Sequence, residues 1–423
     1  MKNKLLVVSW AMPPLAFPRS IQVSRLLAEL STLGWDITVL SSNTKELEKH
    51  TDDSLKSFYQ TFYKIVTIPT SFENARDGDV LMSQWLNPAV NVAENLLKEN
   101  EFDLLITFAQ PWVDHLIGLE LTKQFPIPWI AHFSDPWVDS IYYSKASSAE
   151  ISEWRKLERK IIEQAHTVVW TNKQAQKLVM SKYPPSLQLK CKVTPHCFDP
   201  KIFESITTTT KSVFFTNNSR KRLETPALFS KKKCRLVYTG DFYGPRSPEP
   251  LFNGLKKLWI DNPDHAKNLS VVLIGSIPQI YEQMIKELKI NKTVKILPKA
   301  TYMDSLSYAN FADALLLVDS PSTTSYPYLP SKLIDYLMFM KPIVGITPLN
   351  GAPADVLRAL DCLIADPKDI NAIYDILLKI IELWKQKKLK VNKNFIETSS
   401  IYTMEAVGSE FNDLIEETIE INK

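Results

Sequence analysis

Short apolar runs alternate with amphipathic stretches along almost the whole chain. In the first half these runs predict strands at Leu5–Ser9, Ile37–Ser41, Leu104–Phe108, Trp129–Phe133 and Val168–Thr171. Between the first two, SIQVSRLLAELSTLG predicts a helix with Ile21, Leu26, Leu27 and Leu30 on one face and Gly34 at its end. Continuously apolar strands joined by helical crossovers predict a parallel sheet covered on both faces. The opening MKNKLLVVSWAMPPLAF resembles a secretory leader in outline. Two prolines interrupt its apolar stretch and no small-residue cleavage site precedes Arg19, so a buried first strand is the better reading.

The alternation lapses over Asp199–Lys233, which holds a threonine run at 207–210, an asparagine pair and basic clusters at Arg220–Arg222 and Lys231–Lys233. That composition predicts the end of one domain and a long connection. Strands resume at Arg235–Thr239, Val271–Gly275, Val294–Leu297, Ala314–Val318, Ile343–Thr347 and Leu363–Ala365. Thr398–Ile421 predicts a closing helix. The expected organisation is a first domain over 1–205, a connection over 206–233, a second domain over 234–397 and a terminal segment over 398–423. The fold class is α/β, with two Rossmann-like doubly wound parallel-sheet domains facing a central cleft. In such sheets ligands bind beyond the carboxyl ends of the strands.

Composition narrows the function classes. A chain of 423 residues is long enough for two or three domains of about 150 residues. With 45% hydrophobic and 23% charged residues it is neither disordered nor fibrous. The 4 cysteines are scattered and form no CxxC pair, which argues against a disulfide framework or a zinc site and for a reducing compartment. A net charge of +3 does not by itself imply a nucleic-acid partner. No apolar run approaches the roughly 20 residues that span a bilayer. The signatures GxSxG, HExxH, GxxxxGK[ST] and GxGxxG are absent.

The segment YPYLPSKLIDYLMFMKPIVGIT, residues 326–347, concentrates the chemistry. A strand ending near Asp319 leads to a loop, then Pro330, a helix and another strand. The amides of Ser331, Lys332 and Leu333 would point out of the helix N-terminus, where the dipole favours a phosphate or diphosphate. Asp335, one turn on, is placed to accept two ribose hydroxyls. The same segment also reads as an ordinary capped crossover helix.

LPSKLIDYLMFMKPIVG resembles the nucleotide-binding segment of glycosyltransferase family 4, a retaining group with the GT-B fold. The resemblance continues through MPPLAFPRSIQVSRLLAELSTLGWDITVLS (12–41), SDPW (134–137), TPHCFDP (194–200) and TGDFYGPRSP (239–248), in the expected order. It implies two GT-B domains, with the terminal helix over 398–423 packing back on the first. It places Asp335 on the ribose-binding acid, Pro342 on the proline of a Gly-x-Pro turn and Arg246 on the donor diphosphate, with Lys332 as a second cation or a solvated helix residue. Leu297 and Pro298 fall where the backbone reads the base. His115 falls on a histidine facing the donor sugar and acceptor. Asp135 falls at a strand edge, where it orients the acceptor hydroxyl or caps the next turn, and His196 takes a structural place.

The implied activity is metal-independent, retaining transfer from a UDP- or GDP-sugar to a hydroxyl acceptor, with no cofactor; the alternatives are a GT-B sugar-nucleotide epimerase and a non-catalytic nucleotide-binding or partner-binding GT-B protein. The implied setting is bacterial surface-polysaccharide assembly on a glycan or lipid-linked acceptor, in the cytoplasm at the inner face of the cell membrane. Three positions depart from the family. Pro327 stands where an acid contacts the donor sugar, PLAFPRS replaces the glycine-rich loop and brings Arg19 into it, and Asp241 replaces an arginine. The basic cluster at 220–235 reads as a solvated loop rather than a nucleic-acid surface. The aromatic run Phe58, Tyr59, Phe62, Tyr63 reads equally as core packing, an acceptor groove or a membrane contact.

Overall fold

The structure is a computed structural model and describes residues 3–43, 51–59, 61–70, 82–209, 232–322 and 326–422. The chain divides into two compact units, Met1–Cys197 with Tyr402–Lys423, and Phe198–Ile401. The division falls earlier than residue 205, because helix Pro200–Thr209 belongs with the second unit. Ile202 and Ile206 of that helix are buried, and the Phe203 ring meets Phe339 edge-on at 5.8 Å. Most of the basic connection, residues 210–231, lies outside the described residues.

The first unit holds seven parallel strands: β1 (Lys4–Val8), β2 (Asp36–Asn43), β3 (Lys64–Pro69), β4 (Leu104–Phe108), β5 (Trp129–Phe133), β6 (Thr167–Trp170) and β7 (Cys191–Val193). They are ordered β3-β2-β1-β4-β5-β6-β7. The second unit holds β8 (Cys234–Thr239), β9 (Leu269–Ile274), β10 (Val294–Leu297), β11 (Ala314–Val318), β12 (Ile343–Ile346) and β13 (Leu363–Ala365), ordered β10-β9-β8-β11-β12-β13 and also parallel. Both are doubly wound, with winding that reverses between β1 and β4 and between β8 and β11. Eleven of these strands coincide with apolar runs. The exceptions, β3 and β7, are edge strands with half-exposed faces, so their sequences carry no continuous apolar signal.

Two expectations about helices need correction. Helix Pro18–Thr32 is not amphipathic in use, since every residue from Arg19 to Leu30 is buried. Its polar residues have partners inside the unit: Arg25 Nη1 donates to the Cys197 carbonyl at 2.9 Å, and Ser24 Oγ donates to the Ser20 carbonyl at 2.7 Å. Its other face is covered by helix Met404–Ile421, where Gly408 carries no side chain and so lets Glu29 approach. Trp35 Nε1 donates to Asn412 Oδ1 at 2.7 Å in the same interface. The closing segment is also not one helix. Helix Lys393–Ser399 and the turn Ser400–Tyr402 precede it, and Thr403 starts a new helix by accepting the Ala406 amide. Gly34, at φ +109°, ends the first helix in the left-handed region.

Each sheet has an apolar core on its two faces. In the first, Trp129, Phe133 and Trp170 are fully buried, and Phe133 stacks on Trp170 at 4.7 Å. Helix Val113–Leu121 lies over Trp129 through Gly118, where a Cβ would come within 2.5 Å of the indole ring. The indole is held by its own bond to Thr107, so it cannot yield. Gly118→Ala should therefore lower stability by about 1–3 kcal/mol despite the better helix propensity of alanine. Urea denaturation followed by tryptophan fluorescence checks this, and unchanged stability would mean the helix can lift off the strand.

Candidate functional site

In the second sheet the crevice where the winding reverses lies outside the ends of β8 and β11. Both connections deliver charge there. The loop after β8 begins at Gly240, at φ +122°, and turns again at Gly244, at φ +60°. It brings round Arg246, which is buried. Arg246 Nη2 donates to Asp319 Oδ1 at 3.2 Å, and the guanidinium lies 5.4 Å from the centre of the Tyr243 ring. Burial opposes its charge, but the Asp319 carboxylate, with Tyr238, Tyr326 and Tyr243 adding to it, outweighs that and keeps it protonated. Asp319 follows β11 and is fully buried. Burial raises its pKa, while Arg246 and Lys332 pull it down.

Helix Ser331–Leu337 supplies the second cation. Tyr336 fixes this helix, since its hydroxyl accepts the Thr239 amide at 3.0 Å at the end of β8. Lys332, one turn earlier on the same face, then reaches over the sheet edge. Its Nζ sits 3.9 Å from the centre of the Tyr238 ring. A Cβ on Gly240 would lie 2.3 Å from that nitrogen, so only glycine admits it. The residue keeps some exposed surface, but Nζ itself is enclosed and has no hydrogen-bond partner. Burial and the Arg246 charge push the ammonium well below its ordinary range. Arg246 Nε is likewise buried without a partner, as are Asp319 Oδ2 and the Ser320 hydroxyl after β11, while the Thr347 hydroxyl after β12 acts on the Asp319 carboxylate. An enclosed ammonium seeks three acceptors, and leaving such donors unmet costs about 1–3 kcal/mol each.

The other residues expected here are less uniform. The Leu333 amide donates to the Pro330 carbonyl at 2.9 Å, so it is removed from the anticipated set and the amides of Ser331 and Lys332 remain. Asp335 is buried in the same helix. Leu297 ends β10, and its carbonyl accepts the Gly275 amide at 3.3 Å. Pro298 has no N–H, so it offers a base only its carbonyl oxygen. Asp241, the departure from arginine, accepts the Ser276 amide at 2.7 Å and lies 3.5 Å from Lys299 Nζ. It binds the loops after β8 and β9 together.

In the first unit the reversal lies outside β1 and β4. Asp114, beside it, is fully buried and accepts from the Trp10 amide at 2.8 Å and from Trp85 Nε1 at 2.6 Å. Burial raises its carboxyl to about 7 against those two donors and Arg19. Arg19 Nη2 donates to His132 Nδ1 at 2.8 Å and to the His132 carbonyl at 3.0 Å. Burial lowers the Arg19 guanidinium to about 9, opposed by Asp135 and Asp114. Asp135 stands half-exposed just past β5, and its loop is held where Glu158 accepts the Val138 amide at 3.4 Å and the Tyr183 hydroxyl at 2.8 Å. His196 is buried near Arg19 and Arg25.

His115 requires a correction. The resemblance turns it toward a sugar, but its relative exposure is 0%. Its Nδ1 lies 2.7 Å from Thr107 Oγ1, which also accepts from Trp129 Nε1 at 2.9 Å, and its ring packs on Phe133 at 4.2 Å. Burial and Arg19 hold the imidazole neutral. Its Nε2 is buried without a partner, and a ring so enclosed supports the wall of the crevice.

No protein-family model matches the chain, and no curated protein sequence matches it. Solved structures do. Sucrose-phosphate synthase from Thermosynechococcus elongatus superposes with a TM-score of 0.72 at 17% identity, covering 99% of this chain and 100% of that one. WaaG, a glycosyltransferase involved in lipopolysaccharide biosynthesis, gives 0.62 at 11% identity over 97% and 99%. A UDP-N-acetylglucosamine 2-epimerase gives 0.57 at 12% identity over 97% and 95%. The fold is GT-B. At such identities the likeness carries the architecture alone, and the three activities named differ.

Within this GT-B chain, the structure brings Arg246 and Lys332 together and adds two residues that the sequence pattern left out, Asp319 and Gly240. Asp319 was legible as an acid at the carboxyl end of an apolar strand next to the reversal. Gly240 was visible only as a strand terminator. Among the described residues no group of three or more His, Cys, Asp or Glu is arranged to hold a metal ion, and no helix is long and apolar enough to cross a membrane. Gly240→Ala should displace the Lys332 ammonium and strain a backbone at positive φ. The expected result is a loss of about 1–2 kcal/mol in stability, together with weakened binding of anions such as UDP. Calorimetric titration checks it, and unchanged anion affinity would remove Lys332 from the site.

Proposed function

We propose that the chain is a retaining glycosyltransferase of family 4, moving a sugar from a nucleotide diphosphate sugar to a hydroxyl acceptor. The observation that carries this reading is the pair of enclosed cationic donors, Lys332 Nζ and Arg246 Nε, without acceptors at the reversal point of the second sheet. A diphosphate supplies those acceptors. In the proposed mechanism the bond from the sugar to the diphosphate breaks, and the charge left on the phosphate oxygens falls to Arg246 and Lys332. Asp335 takes the ribose hydroxyls, and the carbonyls at Leu297 and Pro298 meet the base of a UDP- or GDP-sugar. Asp135 orients the acceptor hydroxyl. The acceptor oxygen bonds to the anomeric carbon on the face that the phosphate leaves, and the hydroxyl proton passes to an oxygen of that phosphate, which retains the configuration.

The sequence resemblance to family 4 carries the further proposal of a glycan or lipid-linked acceptor in bacterial surface-polysaccharide assembly. That setting implies a cytoplasmic enzyme meeting the inner face of the membrane peripherally. A second reading, sugar-nucleotide epimerisation, is kept because an epimerase shares the fold. A thermal-shift series with UDP, GDP and their sugars tests nucleotide binding, since a ligand specific for the folded state raises the melting temperature. Release of nucleoside diphosphate only when an acceptor is added supports transfer. Conversion of the sugar nucleotide alone would reject it.

Arg246→Ala should lower kcat/KM by about 10²–10³, the scale of one charge-stabilising donor, as measured by nucleotide release. Undiminished turnover in a folded variant would take Arg246 out of the site. The two cations occupy the role a divalent ion has elsewhere, so turnover should persist in excess EDTA. Complete, magnesium-reversible inhibition would overturn that assignment.

A further inference from the structure

Resting on the diphosphate reading above, we propose that Asp319 is a built-in counter-ion of the donor site. It is a positioning residue that holds Arg246 and Lys332 in place while the site is empty and is opposed by the diphosphate when it binds. The geometry is specific. Asp319 is the first residue after β11, in hydrogen-bond register with β12 through its amide, which donates to the Ile346 carbonyl at 2.9 Å. It therefore cannot swing away with a loop. Its carboxylate accepts from Arg246 Nη2 at 3.2 Å, with both side chains buried.

The charged and titratable groups acting on this cluster come from every element around it. Arg246 reaches in from the loop after β8, Lys332 and Tyr336 from helix Ser331–Leu337 and Tyr238 from β8 itself, while Asp241 acts on Lys332 from the start of the loop, and Tyr243 and Tyr326 act on Arg246. Without Asp319, two enclosed cations would face each other with no anion beside them except Asp241. Like charges so placed repel, and the desolvation of each is uncompensated. Asp319 removes that cost and leaves the cations aimed before a ligand arrives.

The same carboxylate must then share them. A bound diphosphate brings further negative charge beside Asp319, so each state is stabilised at the expense of the other. The consequence is a site that is ordered when empty and does not hold the leaving nucleotide too tightly. The sign of the effect follows. Neutralising Asp319 without changing its shape should strengthen binding of a diphosphate, where a merely structural carboxylate would weaken binding when lost.

The test is Asp319→Asn, titrated calorimetrically with UDP-glucose and GDP-mannose, whose diphosphate diesters keep their charge from about pH 5.5 to 8.5. At the upper end the variant should bind about tenfold more tightly than the wild-type chain. Burial raises the Asp319 pKa, so the wild-type carboxylate becomes neutral as pH falls. The advantage of the variant should therefore be smaller at the lower end than at the upper, as the wild-type carboxylate loses its charge. Asp319→Ser, neutral and smaller, carries the same expectation should the asparagine variant not fold. Equal or weaker binding by the neutral variants at the upper end overturns the counter-ion role alone. Failure of the wild-type chain to bind either sugar nucleotide overturns the diphosphate reading beneath it.

Discussion

The reversal of winding in each sheet is the constraint on which the rest depends. All strands within a sheet run parallel, so every connection must cross back over a face before the next strand begins. Where β8 and β11 lie side by side, their outgoing chains leave toward opposite faces. No helix can cover the gap between them, and the residues just past both strands are left around a crevice. Thr239, Gly240 and Asp319 occupy those positions because of topology rather than any local preference. The Arg246 loop and the Lys332 helix are the two connections that topology sends across the same place.

Once the crevice exists, packing decides what charge it can hold. Lys332 Nζ is enclosed because Gly240 leaves room and Tyr238 offers a ring face. A cation over an aromatic ring gains about 0.5–2 kcal/mol, less than the hydration it gives up. The position is thus stable only because the surrounding structure enforces it through Tyr336, which locks the helix to β8 by hydrogen bonds at 3.0 and 3.2 Å. Strain and unmet donors gathered at one point on a rigid frame are the usual signature of a site awaiting a ligand.

Much of this was legible in the sequence, and the parts that were not have a common cause. Central strands are apolar on both faces, so runs such as Leu104–Phe108 and Ala314–Val318 announce themselves. The half-exposed edge strands do not. The helix over Ser331–Leu337 was readable from LPSKLID because proline placement and a short helix are local properties. The Arg246–Asp319 pair was not, because it joins residues far apart in the chain through a register that only the sheet supplies. The enclosure of His115 was hidden for the same reason. Its neighbours Thr107, Trp129 and Phe133 come from two other strands. Met340 shows a further limit. It stands at φ +48°, in the left-handed region where the resemblance expects glycine, so the backbone turn survives a residue that the turn disfavours.

The first sheet solves the same problem with different chemistry. Its reversal also gathers an arginine and acids, but Arg19 donates to His132 rather than to a carboxylate, and Asp114 is bound by two indole and amide donors instead. Arg19 is consequently easier to deprotonate than Arg246, which has Asp319 against it. A glycine-rich loop here would leave backbone exposed for a phosphate. The sequence PLAFPRS instead plugs the space with a guanidinium whose hydrogen bonds turn inward. Arg19 Nε is buried without a partner too, so the contrast is that the second sheet gathers two such cationic side chains, Arg246 and Lys332, where the first gathers one. It leaves the first sheet with a largely neutral, rigid wall from which Asp135 alone among the named acids keeps part of its surface exposed.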